Sequence, residues 1–486
     1  MHMTQETLSN ITTLLAASAT FVLMAWTAVH ILMHKHDTRA AVGWLGLVWF
    51  APLLGVILYW IFGINRIQRK AHQLFADQYP LQLPPTESAL SPQNLVTELG
   101  SQWQDMAILA RLTDQLTTQP LMAGNRFTPL INGDQTYPAM LNSIEQAAVS
   151  ITLTTYIFDN DKWGGLFQSA LARAVQRGVK VRVLIDDVGA RYSLPSIVGK
   201  LQRSGVDTAR FMRSWKPWRF RYYNLRSHRK IMVVDGKTGF TGGMNIRASH
   251  VLADRPGHPV QDLHFQVEGP VVAELQRAFA SDWLFTTGEE LSGPDWFPEL
   301  HPLGLAVARG IADGPDENFD KLRKVLLGAL SCARRSVTIA SPYFLPDQDL
   351  TTALKIAVLR GVTVEILQSR KSNLKMVQWA SQPGLEELAR AGCRIILTPP
   401  PFDHTKVMVV DDSWVLLGSG NWDPRSLYLN FEFNVEVYDR ELAMAVKGLV
   451  NHKKARGTAL QPGAGNGFPQ LRHMRNTVFR LFSPYL

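Results

Sequence analysis

The chain has 486 residues, 46% hydrophobic and 19% charged, and its 50 Lys+Arg against 41 Asp+Glu leave a formal net charge of +9. Such a chain builds an ample core over several domains, which excludes a peptide hormone, a disulfide-stapled miniprotein and a wholly disordered polymer. Its positive balance suits an anionic partner, either nucleic acid or an acidic membrane surface.

The first predicted elements are two runs free of Asp, Glu, Lys and Arg: Ile11 to Met33, of 23 residues, and Ala41 to Ile64, of 24. Each is long enough to cross a hydrocarbon core of about 30 Å as a helix, so residues 1–70 read as a two-helix transmembrane hairpin. Trp44, Trp49, Tyr59 and Trp60 are candidates for an interfacial belt, and Pro52 is tolerable inside a membrane helix. No basic region precedes the first run and no small-residue cleavage site ends it, which argues against a signal peptide. A hairpin returns the chain to its starting side. Arg66, Arg69 and Lys70 follow the second run, against Lys35 and Arg39 in the connection. The positive-inside rule therefore places the rest of the chain in the cytoplasm.

The segment 71–125 reads as linker and connecting helix, rich in Pro, Ser, Thr and Gln from Pro80 to Pro92. Beyond it the chain repeats. Ala170–Gln176 and Ala353–Leu359 are amphipathic helical stretches closed by Gly178 and Gly361, and each is followed by a strand alternating at period two. Apolar strands precede both, at Ser150–Phe158 and Ser336–Phe344. The fold class expected is α/β, with two tandem αβ domains over 126–290 and 300–486, pseudo-twofold related, their mixed sheets flanked by helices. A site is expected at their interface. Cys332 and Cys393 are too few for a disulfide framework or a zinc site and read as buried free thiols.

The repeat is sharpest where chemistry is available. His228, Lys230 and Asp235 fit H-x-K-x4-D, as do His404, Lys406 and Asp411, and in both copies an asparagine, Asn245 or Asn421, falls 17 residues after the histidine. Residues two apart on a strand project from one face, so histidine and lysine can reach one phosphate. A turn and a returning strand, Thr238–Thr241 or Trp414–Leu417, bring the asparagine back beside the histidine, with glycines permitting close approach. Each half thus offers an imidazole, an ammonium and an amide, the set that phosphoryl transfer uses for attack, charge neutralisation and orientation. Asp235 and Asp411, at the far end of their strands, are read first as hairpin or salt-bridge residues. Arg213–Arg226 interleaves basic and aromatic residues and reads as an interfacial segment for anionic head groups; Arg472, Arg475 and Arg480 near the C-terminus give a fainter hint of the same.

On these motifs the sequence resembles the phospholipase D superfamily, and within it the bacterial cardiolipin synthases. The likeness extends to Tyr59–Arg66, His228–Ile246, Asp262–Pro270, Ser341–Asp347, Arg425–Glu432 and Leu481–Leu486. The resemblance implies catalytic His228, Lys230, Asp235, His404, Lys406 and Asp411, phosphate-binding Asn245 and Asn421, and histidine-orienting Asp262 and Glu432. It implies phosphatidyl transfer between two phosphatidylglycerols through a phosphatidyl-histidine, with His228 as nucleophile and His404 as acid and base. The residues alone do not order that pair. Neither metal nor cofactor is implied. The partners implied are phosphatidylglycerol and anionic membrane lipid, with no nucleic acid, at a bacterial inner membrane. A membrane-bound hydrolase, or a transphosphatidylase using another alcohol, shares every catalytic residue; a scaffold without activity would not need them.

Overall fold

The structure is a computed structural model that describes residues 5–35, 38–60, 88–213, 225–315, 320–461 and 469–481. It divides into two units, Met1–Ala71 and His72–Leu486. The basic residues Arg66, Arg69 and Lys70, most of the Pro80–Pro92 stretch and most of the Arg213–Arg226 run lie outside the described residues.

In the first unit a 30-residue helix, Gln5–His34, is answered by Thr38–Phe50 and Pro52–Leu58. The arms fold back on each other through Met24, Ile31, Val48, Val56 and Tyr59, with Trp26 stacked on Trp60 at 4.7 Å. The Trp60 indole donates to Thr27 Oγ1 at 3.1 Å. Ser9–His34 is long and apolar enough to cross a membrane, and much of its apolar surface is exposed, including Leu14, Phe21, Val22 and Val29. The second run differs from the continuous helix expected. It breaks at Ala51 (φ −136°, ψ 73°), because the residue before a proline is driven out of the helical region, and Pro52 restarts the chain at a first helical position. Among the described residues one helix, not two, has the length and hydropathy of a span.

The second unit holds two copies of one sheet. In the first half the strands run, by pairing, Leu121–Ile131, Leu263–Glu268, Thr238–Gly242, Ile231–Val234, Ser150–Thr155, Lys180–Asp186, Asp207–Phe211. In the second they run Ala306–Asp313, Asn430–Tyr438, Trp414–Gly418, Val407–Val410, Ser336–Ala340, Thr363–Ser369, Arg394–Thr398. The orders match strand for strand, antiparallel at first and parallel over the last three, which is the mixed sheet expected. Ala306–Asp313 also pairs with the start of Leu121–Ile131, so the two sheets join. That first strand begins at Leu121, ahead of the boundary drawn at 126.

Alternation along the strands explains the cores. Met232 and Val234 face the helices of their own half, while Ile231 and Val233 meet Val407, Val409, Val415 and Val435 in a core that joins the halves. Each such side chain contributes about 1.5–3 kcal/mol on burial, so this apolar seam holds the halves in one geometry. Helix Gln104–Asp114, in the segment read as a linker, packs Met106, Leu109 and Ala110 into the core of the second half. Cys393 is buried and Cys332 half-buried, both as free thiols.

The turn residues are placed by backbone need. Asp235 and Gly236 (φ 52° and 63°), like Asp411 and Asp412 (φ 52° and 55°), occupy the left-handed region that a type I′ hairpin demands and that Asp, Asn and Gly tolerate. The Asp235 carboxylate accepts the N–H groups of Ala148, Val149 and Ser150, and that of Asp411 the N–H groups of Arg334, Arg335 and Ser336. The catalytic part that the motif implies for these two aspartates finds no support in their placement: each caps the start of a neighbouring strand, at the strand end away from its histidine.

Candidate active site

Two short strands carry the histidines, and each lies on the other half. Arg226–Ser227, just before His228, pairs in parallel with the start of Asn430–Tyr438, Arg226 opposite Asn430. Phe402–Asp403, just before His404, pairs in parallel with Val260–Gln261, Phe402 opposite Val260. The result is a crossed pairing of imidazole and carboxylate. His228 Nδ1 stands 3.0 Å from both carboxylate oxygens of Glu432, and His404 Nδ1 stands 2.9 Å from Asp262 Oδ2. With Nδ1–H held by a carboxylate, the Nε2 lone pair is left for chemistry.

The two carboxylates are supported differently. Glu432 also receives the Ser419 hydroxyl at 2.5 Å and the Asn430 amide at 3.2 Å. Asp262 sits where the pseudo-equivalent of Ser419 is Gly243, and a Cβ there would come within 2.6 Å of Asp262 Oδ1. Glycine is therefore needed for the shorter aspartate to reach His404. The six extra residues between Asn245 and Asp262 are taken up by an excursion around the short 3-10 helix Leu252–Asp254, which leaves the strand after it in register.

His228, His404, Asn245 and Asn421 line one cavity of about 450 Å³. The Asn245 Oδ1 accepts from the Ile157 N–H at 3.1 Å, which turns its amide N–H groups toward the cavity. Asn421 Nδ2 lies 3.2 Å from Ser426 Oγ, and its Oδ1 is buried without a partner among the described residues. Because a hydroxyl both donates and accepts, the opposite amide orientation keeps the Ser426 contact and offers N–H to the cavity. Lys230 Nζ donates to the His228 carbonyl at 2.7 Å and Lys406 Nζ to the His404 carbonyl at 2.8 Å. Lys406 Nζ lies 3.2 Å from His404 Nε2.

Burial sets the protonation states. It lowers His228 to about 4 against the opposing pull of Glu432. Burial, then Lys406, Lys230 and His228, hold His404 well below the usual imidazole range. Burial also lowers the ammonium of Lys230 to about 7 and that of Lys406 to about 8. For Glu432 burial raises the pKa, but His228 and Lys230 beside it prevail and lower it overall, whereas buried Asp262 is raised. Two imidazoles kept neutral by burial and clamped by carboxylates share one cavity with two asparagine amides, and an ammonium group follows each imidazole two residues along the chain, a set of groups suited to a phosphodiester.

Several lining residues escaped the sequence reading. Arg247 and Asp423 each stand two residues after a motif asparagine, an offset the repeat displays, yet they differ in charge. His250, whose ring lies 6.2 Å from that of His404, is matched in the other half by Ser426, so repetition gave no signal for it. At the C-terminus, helix Pro469–Leu481 packs on Lys375–Arg390 with Arg475 4.4 Å over the Trp379 ring.

Known proteins carry the same plan. The model of the family described as "Cardiolipin synthase, PLD-like domain" matches residues 140–283 and 326–452, one segment in each half. A second model, "Phospholipase_D-nuclease N-terminal", matches residues 22–63. The chain is 32% identical to a cardiolipin synthase of Geobacillus kaustophilus over 85% of this chain and 82% of that one. It is 32% identical to cardiolipin synthase A of Pseudomonas putida over 94% and 95% of the two chains. A solved phosphatidylserine synthase of Haemophilus influenzae, 17% identical, shares the fold with a TM-score of 0.61 over 78% of this chain and all of that one. The chain belongs to the cardiolipin synthase family of phospholipase D-like proteins.

Proposed function

We infer that the protein is a cardiolipin synthase that moves a phosphatidyl group from one phosphatidylglycerol to another. The observation that carries this reading is the crossed pair of imidazoles in one cavity, within a chain of this family. His228 Nε2 attacks the phosphorus of the first lipid; the N–P bond forms as the P–O bond to the head-group glycerol breaks. His404, as imidazolium, gives its proton to the departing oxygen. Burial and the nearby Lys406 and Lys230 oppose that proton. The phosphodiester anion counters part of that positive field, so substrate binding itself favours the acid form. Neutral His404 then takes the proton from a hydroxyl of the second phosphatidylglycerol, whose oxygen displaces His228 to give cardiolipin. Lys230, Lys406, Asn245 and Asn421 hold the non-bridging oxygens.

Purified protein in phosphatidylglycerol vesicles is expected to release glycerol and cardiolipin in equal amounts by mass spectrometry. Phosphatidic acid as the sole lipid product overturns the transferase reading in favour of a hydrolase with the same residues.

The protein is a membrane protein, and Ser9–His34 is its candidate span. The hairpin in turn supports a catalytic unit on the side where the N-terminus lies, the cytoplasmic face of a bacterial inner membrane, with the return arm spanning as a broken helix. A cysteine introduced at Lys35 is then expected to react in intact spheroplasts with an impermeant maleimide. Labelling only after lysis reverses the orientation or leaves the return arm short of the far side.

A further inference from the structure

The pseudo-twofold relation gives the cavity two equivalent corners, one beside each histidine. At one, Arg226 lies opposite Asn430; at the other, Phe402 lies opposite Val260; all four line the cavity. Backbone pairing is the same in both corners and the chemistry is not. The Phe402 corner continues into Tyr343, Leu345 and Val377. The Arg226 corner continues into Arg425, from the helix Pro424–Tyr428 that precedes the paired strand, and Tyr156. The Phe402 corner is largely aromatic and aliphatic, with His250 beside His404, whereas the Arg226 corner carries two arginines.

Two details mark the cationic corner as a place for a ligand. Asn430 is 5% exposed and its amide direction is fixed, since Nδ2 donates to Glu432 Oε1 at 3.2 Å. Its buried Oδ1 is left without a partner among the described residues, an acceptor waiting for a hydroxyl. Arg226 donates to the Leu225 carbonyl at 3.1 Å, hydrogen-bonds Tyr156 and has Asp186 as its nearby countercharge, with Arg425 a weaker like charge in the same wall. Two arginines on one partly buried wall offer charged donors to an anion that enters the cavity.

We propose that Arg226, Arg425 and Asn430 form an acceptor subsite for a glycerol phosphodiester, reading the second phosphate and a glycerol hydroxyl of the incoming phosphatidylglycerol. Arg226 and His228 both line the cavity and are two residues apart along extended chain, about 6.6 Å by strand rise, a spacing of the order that a glycerol bridge sets between two phosphates. A water molecule or a simple alcohol brings no such phosphate. The subsite thus gives the enzyme a means of preferring transfer to lipid over hydrolysis. The proposal rests on the transferase reading above.

The experiment reads partition of one intermediate. Full-length protein is given phosphatidylglycerol vesicles with ethanol as a rival acceptor, and cardiolipin is measured against phosphatidylethanol. Because both products come from the same phosphatidyl-enzyme, their ratio does not depend on how much of a variant is folded. Arg226→Gln and Arg425→Gln are each expected to lower that ratio about tenfold, the worth of a charge-assisted hydrogen bond, and Arg226→Lys by less. A ratio within twofold of the parent in both variants overturns the subsite. So does loss of both products together in both variants, which would put the arginines in the shared first step. If the parent protein makes phosphatidic acid and phosphatidylethanol but no cardiolipin, it is the transferase reading that fails instead.

Discussion

Replacing either His228 or His404 by alanine is expected to lower cardiolipin formation by about 10,000-fold, because in the proposed mechanism each carries a separate step, attack or proton transfer. The two losses should differ in kind. A phosphatidyl ester of p-nitrophenol departs without needing a proton, so it separates the attack from the acid step. With this donor, His404→Ala is expected to release nitrophenolate in a burst equal to the enzyme and then stall, lacking a base to activate the acceptor. His228→Ala is expected to release none. Rapid-mixing absorbance at the nitrophenolate band reads both. The reverse pattern exchanges the roles of the two histidines, and turnover surviving in both variants sinks the covalent mechanism.

That two histidines share a site was legible in the sequence because duplication is a spacing signal: H-x-K-x4-D recurs with the asparagine at one offset in both copies. That each half repeats one strand–helix–strand unit was legible for the same reason, since alternation and helix stops recur. What spacing cannot carry is which half a side chain serves. Asp262 just precedes, and Glu432 lies within, corresponding strands, but each reaches across the seam to the other half's histidine, because the strands before His228 and His404 pair with strands of the opposite half. Those pairings are only two residues long and have no periodicity to read. The corners beside them were hidden for a related reason. Repetition draws attention to what the halves share, whereas Arg226 against Phe402 and His250 against Ser426 are differences. The second apolar run misled in a simpler way. Its composition is that of a spanning helix, and a single proline decides that its backbone is two pieces.

The crossing itself makes the second large prediction. Glu432→Gln and Asp262→Asn are each expected to cost about 1,000-fold in kcat, close to 4 kcal/mol, since an amide neither holds Nδ1–H as firmly nor balances an imidazolium. The pH profile fixes the cause. In the proposed mechanism a neutral imidazole attacks and a charged ammonium neutralises the phosphate, so kcat/KM should fall below about pH 4, where His228 gains a proton, and again as pH rises through about 7, where Lys230 loses one. The Glu432 carboxylate opposes burial at both groups and raises both pKa values. Removing its charge should therefore move both limbs to lower pH; a limb that moves upward contradicts the assignment. With the nitrophenyl donor, Glu432→Gln should lose the burst as His228→Ala does, and Asp262→Asn should keep it as His404→Ala does. Should each carboxylate instead fail with the histidine of its own half, the crossed clamp seen at 3.0 and 2.9 Å is not the working one.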